Sequence, residues 1–359
     1  MRSHQKHSST TAVDQSRRVA GEAPRTKRAL VVSGGGSKGA FAVGAIQFMV
    51  EKLHLDFNIV SGTSTGAVIA TLVVAGEYGL LNKIYTSIHT KDVLEKNNPL
   101  DIVSGRVPSW YSTKPLEHLI DRDLTLDIAR KVFDSKKQMF LTTVCLQTGA
   151  VVYFQTGPRG SSEEPTTEVV HIQDRERLIQ AILASTNQPV LMPPVVVDSR
   201  PLAQYVDGGV RAYAPIQIAA DNGADEIYAV VLSPEPTART PKKVKFTRIV
   251  KILVRTIDLL TEQVGECSLR LRQRDRQFLR FLDALKDQLM RRPEFPPGEV
   301  NKLFDSHLNP VRGMRAVTLH LVRPRQELPT NGLEFDPDIM KEMIQMGWDE
   351  AKRVLGAQR

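Results

Sequence analysis

Asn58-Ile59-Val60-Ser61-Gly62-Thr63-Ser64-Thr65-Gly66 reads as a short apolar strand that turns sharply, and the nearly all-apolar run Thr65 to Ala75 after it predicts a helix buried against a sheet. The run fits Gly-x-Ser-x-Gly, the nucleophile elbow, in which a tight strand-to-helix turn lifts a serine hydroxyl clear of the backbone. Thr63 and Thr65 flank that serine, Ser64, and Gly62 and Gly66 have a steric purpose: the turn presses backbone against backbone, where side chains would clash. Upstream, Ala29-Leu30-Val31-Val32-Ser33 leads into Gly34-Gly35-Gly36-Ser37-Lys38-Gly39, a second strand–glycine–helix unit. Its backbone N–H groups would stand at the end of the neighbouring strand, where an oxyanion could be held. Together the two units point to acyl transfer through a serine.

Outward from these turns the pattern stays strand, helix, strand, helix. Gly39 to Leu53 reads as a helix, residues 97–115 as a loop, and 115–121 and 126–133 as helices. Met139–Leu146 and Ala150–Gln155 read as a strand pair, and 157–167 as an exposed loop. A helix at Arg175–Ala184 precedes a hairpin, Val195–Val197 with Leu202–Val206, closed by Asp198-Ser199-Arg200-Pro201. Asp207-Gly208-Gly209 ends its second arm. A helix near Pro215–Asn222 and the strand Glu226–Leu232 follow, then one or two long helices between Lys245 and Met290. A strand, Ala316–Leu321, and a helix capped by Asp336 with Pro337 at its first position complete the pattern. The alternation argues for an α/β fold with a mostly parallel sheet.

A chain of 359 residues can bury a substantial core, and 41% apolar with 25% charged residues is the balance of a soluble globular protein. No apolar run reaches the roughly 18 residues of a membrane span. The formal charge of +8 is clustered: seven Lys/Arg against two Asp/Glu in residues 1–28, and fourteen against six in residues 242–292. That clustering fits an anionic surface as partner better than a nucleic-acid coat, and no zinc finger or aromatic stacking motif supports nucleic acid. Cys145 and Cys267 lie far apart with no ligand-like spacing, so neither a disulfide framework nor a cysteine metal site is expected. A reducing, cytoplasmic location is the expectation. Residues 1–28 lack the apolar core of a secretory signal and read as a disordered basic leader.

Gly34 to Gly39 also matches Gly-x-Gly-x-x-Gly, but the acidic residue that a dinucleotide site needs is misplaced, since Asp56 precedes the second strand instead of ending it. A P-loop is excluded because Lys38 stands before the last glycine. The remaining reading is an oxyanion loop around Gly35 and Gly36, with Lys38 fixing the loop or favouring an anionic head group. A serine nucleophile needs a base. None of His4, His7, His54, His89, His118, His171, His307 and His320 follows a strand with an acidic partner placed like a triad. Asp207 ends an apolar strand, Gly208 and Gly209 allow close backbone approach, and a carboxylate in a partly dry site can take a serine proton.

The ordered blocks glycine-rich loop, Gly-x-Ser-x-Gly and Asp-Gly-Gly resemble the patatin-like phospholipase family. Ala184-Ser185-Thr186-Asn187-Gln188-Pro189 with Pro193-Pro194, and Phe335-Asp336-Pro337 through Gly347-Trp348, resemble further blocks of that family. The likeness runs over residues 29–235 and resumes in 316–359, leaving 236–315 as a basic helical insertion. The resemblance implies a three-layer α/β/α fold and a Ser-Asp dyad hydrolase of phospholipid or lysophospholipid acyl esters, needing no cofactor or metal. Ser64 would be the nucleophile and Asp207 the proton acceptor. Gly34, Gly35, Gly36, Lys38 and Gly39 would form the oxyanion loop. Ser33 departs from the family, many of whose members have Asp or Gly there. An acyltransferase or thioesterase using the same dyad, or a non-catalytic lipid-binding protein, are the alternatives. Residues 242–292 read either as a packing helix with a solvated basic face or as a site of peripheral contact with an anionic membrane.

Overall fold

The computed structural model describes residues 26–197, 202–236, 245–306 and 316–358. Most of the expected leader, the Asp198-Ser199-Arg200-Pro201 turn, and residues 237–244 and 307–315 of the expected insertion lie outside the described residues.

β1 (Arg28–Val32) and β2 (Ile59–Thr63) carry apolar or small residues almost throughout because both of their faces are covered. α1 (Gly39–Glu51) lies between them, and α2 (Thr65–Ala75) follows, both buried along most of their length. α2 stops at Gly76, whose φ of 73° lets its N–H reach back to the Leu72 and Val73 carbonyls. α3 (Tyr78–Ser87) comes next. The stretch expected as a loop at 97–115 holds more order: β3 (Glu95–Lys96) and β4 (Tyr111–Ser112) pair across the one-turn α4 (Pro99–Val103), which Asn98 caps. α5 (Lys114–Asp123) and α6 (Leu126–Phe133) match the expected helices.

β5 (Gln138–Cys145) and β6 (Val151–Thr156) form the expected antiparallel pair, and a half-buried strand, β7 (Thr167–His171), adds to β6. α7 (Arg175–Thr186), β8 (Val195–Val196), β9 (Gln204–Asp207), α8 (Ile216–Asp221) and β10 (Glu226–Val230) follow. α9 (Ile249–Met290) is one helix of 42 residues. α10 (Pro297–Phe304), β11 (Thr318–Val322) and α11 (Pro337–Leu355) complete the order, with Asp336 capping α11 through the N–H groups of Asp338 and Ile339.

The main sheet runs β11-β10-β1-β2-β5-β6-β7, and its first five strands are mutually parallel. Side chains alternate between two buried clusters. Leu30, Val32 and Val60 point to the side carrying α1, α2, α3, α7 and α11. Ala29, Val31 and Ile59 point to the side carrying α8 and Leu269 of α9. Three layers result, as the family resemblance implied. α1 and α11 cross at backbone contact: a Cβ on Gly44 would overlap the Ile344 carbonyl, and one on Gly347 that of Phe41.

One strand sets the position of both expected site residues. Thr142 of β5 pairs with Thr63, the last residue of β2, and the next residue, Thr143, pairs with Asp207, the last of β9. β6 occupies the other edge of β5 as far as Val144. β2 and β9 therefore share one edge of β5, run in opposite directions, and meet end to end.

Candidate active site

Ser64 leaves β2 with φ 58° and ψ −127°, a conformation that costs a non-glycine residue on the order of 1–3 kcal/mol and persists only where the surroundings enforce it. The enforcement is visible. A Cβ on Gly62 would overlap the Gly66 carbonyl oxygen, and one on Gly66 would overlap that of Val32. Thr63 Oγ1 donates to the Ala212 carbonyl at 2.9 Å. The Ser64 N–H donates to Ser185 Oγ at 3.0 Å, and that hydroxyl donates onward to the Thr142 carbonyl at 2.7 Å. Ser185 thus ties the turn to β5. Thr65 Oγ1 shares a short contact with the buried Tyr85 hydroxyl, and Gly39 presses on the same threonine, 2.5 Å from where its Cβ would be.

Asp207 is 7% exposed. Its N–H donates to the Asn187 carbonyl at 2.9 Å, and its Oδ1 accepts the Gly209 N–H at 2.7 Å. Gly208 has no room for a side chain, because a Cβ there would stand 2.6 Å from the Thr142 carbonyl oxygen. Burial pushes the Asp207 carboxyl up from 3.8 to about 6; the nearby Ser64 hydroxyl and the hydrogen bond from the Gly209 N–H pull the other way. The end-to-end strands therefore bring Ser64 and Asp207 to one pocket, close enough for the serine hydroxyl to draw the carboxyl's proton affinity down.

The glycine loop sorts its amides into two sets. The Gly34 N–H donates to the Tyr213 carbonyl, Ser37 to Gly332, Lys38 to Gly35, and Gly39 to Gly36 and Ser37. Among the described residues, the Gly35 and Gly36 N–H groups meet no protein acceptor. Of the five residues expected to form the loop, Gly34, Lys38 and Gly39 therefore shape it with their amides occupied, while Gly35 and Gly36 keep theirs open. Gly34 faces Ser64, whose Cβ lies 3.2 Å from the position a Gly34 Cβ would take. Gly36 has φ 58° and lies so close to the Gly332 carbonyl that no Cβ fits. Ser33 is buried, and its hydroxyl accepts the Leu232 N–H at 2.9 Å.

Ser64, Asp207 and Gly34–Gly36 stand at the polar end of a pocket of about 190 Å³ whose remainder is walled by side chains such as Leu72, Ile84, Ile120, Ile182 and Met192. Among the described residues no histidine lines it. Among the described residues no cluster of His, Cys, Asp or Glu could hold a metal ion. Sequence reasoning missed three contributors. Ser185 stands inside the Ala184–Pro189 block with no signal of its own in the sequence. Tyr213 backs Gly34, and burial pushes its phenol up to about 12, leaving it neutral. Asp258, Thr261 and Glu262 of α9 line the pocket, so part of the expected insertion walls the site. Only tertiary contact reveals any of these roles.

A family model described as patatin-like phospholipase matches residues 30–220, more than half of the chain. The uncharacterized protein YjjU of Escherichia coli (strain K12) is 25% identical over 222 residues, covering 60% of this chain and 54% of that protein. The probable inactive patatin-like protein 9 of Arabidopsis thaliana is 25% identical over 249 residues, covering 60% of this chain and 62% of that protein. The chain thus spans between 54% and 62% of the length of these curated relatives. Among solved structures, VipD from Legionella pneumophila is similar at 14% identity and a TM-score of 0.44, over 93% of this chain and 67% of that one.

Proposed function

The chain belongs to the patatin-like phospholipase family, and from that premise we propose that it is a serine lipid acyl hydrolase working through Ser64 and Asp207 on phospholipid or lysophospholipid esters. One observation carries the reading: a hydroxyl in a strained turn shares one pocket with a buried carboxylate whose proton affinity is raised toward neutrality. Neither feature serves a protein that only binds lipid. This bears on activity directly, since a relative of the family is named as inactive.

Asp207 accepts the Ser64 proton as Oγ attacks the ester carbonyl. The Gly35 and Gly36 amides receive the oxyanion, where preorganised donors are worth most. Collapse expels the alcohol, which takes the proton from Asp207. Water then attacks the acyl-serine, gives its proton to Asp207, and releases the fatty acid as Ser64 is reprotonated. The apolar walls of the pocket suit an acyl chain. Because Asp207 works only when ionised, kcat/KM should fall as the pH drops through about 6.

A fluorophosphonate probe and a lipid panel followed by mass spectrometry test this together. Labelling and fatty-acid release are expected from the wild type, and neither from Ser64→Ala. Labelling that persists in Ser64→Ala, or no release from any lipid by a labelled wild type, would overturn the reading.

A further inference from the structure

α9 has an inner side bonded to the core and an outer side bonded to nothing described. On the inner side, Asp258, Thr261 and Glu262 line the pocket, and Gly265 sits against the Tyr213 ring. Glu266 pairs at 2.5 Å with Arg323, both about nine-tenths buried, and Arg323 also donates to the Ser233 and Pro234 carbonyls. Leu269 is buried in the core.

The outer side carries Ile249, Leu253, Leu260, Leu271 and Phe278, spaced 4, 7, 11 and 7 residues apart, which at 3.6 residues per turn is one continuous stripe. All are exposed, Ile249 by 82% and Leu260 by 63%, and Phe281 beside them by 60%. Aliphatic and aromatic side chains so displayed mark an interaction surface.

The charge around the stripe identifies what it meets. Residues 245–292 hold twelve Lys/Arg and six Asp/Glu, and three of those acids, Asp258, Glu262 and Glu266, face inward. Arg255 turns inward with them to meet Glu262 at 3.7 Å, and the exposed Lys251, Arg270, Arg274 and Arg280 leave the outer surface basic. A second copy of α9 would set like charge against like. An anionic lipid surface satisfies both the apolar stripe and its cationic flanks, the pattern of a helix lying in the plane of a bilayer interface.

We propose that α9 docks on anionic membranes with this stripe immersed, so that the helix roofing the pocket is also the one that meets the lipid. The site then stands within about one helix diameter, roughly 10–12 Å, of the head groups. This builds on the acyl-hydrolase reading by naming where the substrate is met, but docking itself needs no turnover.

Flotation of the Ser64→Ala protein with phosphatidylglycerol–phosphatidylcholine vesicles separates the two ideas, because that protein binds without hydrolysing. At least tenfold more protein should float with anionic than with neutral vesicles, and 0.5 M salt should reduce the difference. Adding Ile249→Ser, Leu260→Ser and Phe278→Ser should cut flotation at least tenfold with circular dichroism unchanged. A second variant, Lys251→Gln, Arg270→Gln and Arg274→Gln, alters only exposed side chains and should lose the anionic preference even if the first misfolds. Equal flotation on neutral vesicles, or full binding by the charge variant, would overturn the proposal. So would a dimer in sedimentation velocity that the serine variant dissolves while vesicle binding is absent.

Discussion

The two glycine turns stand side by side at the ends of neighbouring parallel strands, yet their glycines answer to opposite demands. In the elbow, Gly62 and Gly66 are required by the turn itself, since each lacks room for a Cβ against the backbone of Gly66 or of adjacent β1. The elbow's own amide is occupied by Ser185, and what it offers is a hydroxyl. In the first loop, Gly36 is required by a distant segment, the Gly332 carbonyl, and what the loop offers is a pair of open N–H groups. Similar composition therefore encodes one turn that presents a side chain and one that presents main chain.

The sharpest way to break that division is Ser64→Ala, which should lower the turnover number about 10⁴-fold or more with the melting curve of a folded protein. Wild-type rates would remove the hydroxyl from the chemistry. Next in size is a stability effect of the carboxylate facing it. The folded pKa of Asp207 lies above its unfolded value, so protonation favours the folded state at low pH, and that advantage is lost as pH rises through about 6. A shift from 3.8 to about 6 corresponds to on the order of 3 kcal/mol at pH 8. Asp207→Asn should abolish turnover yet raise denaturant stability by up to that amount at pH 8. The gain should vanish near pH 4. A variant less stable than wild type at pH 8 would contradict the burial argument.

On the main-chain side, Gly36→Ala should reduce the turnover number about 10²-fold, the scale of losing an oxyanion donor, because the methyl group meets the Gly332 carbonyl and displaces the open amides. Normal turnover there would show that the loop only packs. The smallest effect belongs to Ser185→Ala. It leaves the Ser64 N–H without its acceptor, and roughly a tenfold fall in rate with about 1–2 kcal/mol of lost stability is expected.

Both turns were legible in the sequence because each follows a strand buried on both faces, where few polar residues blur the pattern. β7 was not, since its five residues are only half buried and the loop expected at 157–167 runs into its first residue, Thr167. α4 was hidden among Pro, Asn and Gly because one capped turn of helix leaves no periodic trace. Asp207 was legible only through its Gly-Gly neighbours and a resemblance; nothing local says that β9 abuts β2. Which loop amides stay open was illegible altogether, because the acceptors that occupy the rest belong to residues 213 and 332. α9 announced its length and charge but not its inner face, as the pocket it walls is built from other segments.

The contact between Gly36 and Gly332 has a consequence for biogenesis. A nascent chain emerging from the ribosome carries Ser64 and Asp207 well before residue 332 is translated. The segment carrying Gly332 then has to settle over the glycine loop, guided by α11 docking on α1. On the acyl-hydrolase reading, the glycine loop therefore takes its final shape only once the chain around residue 332 has folded into place.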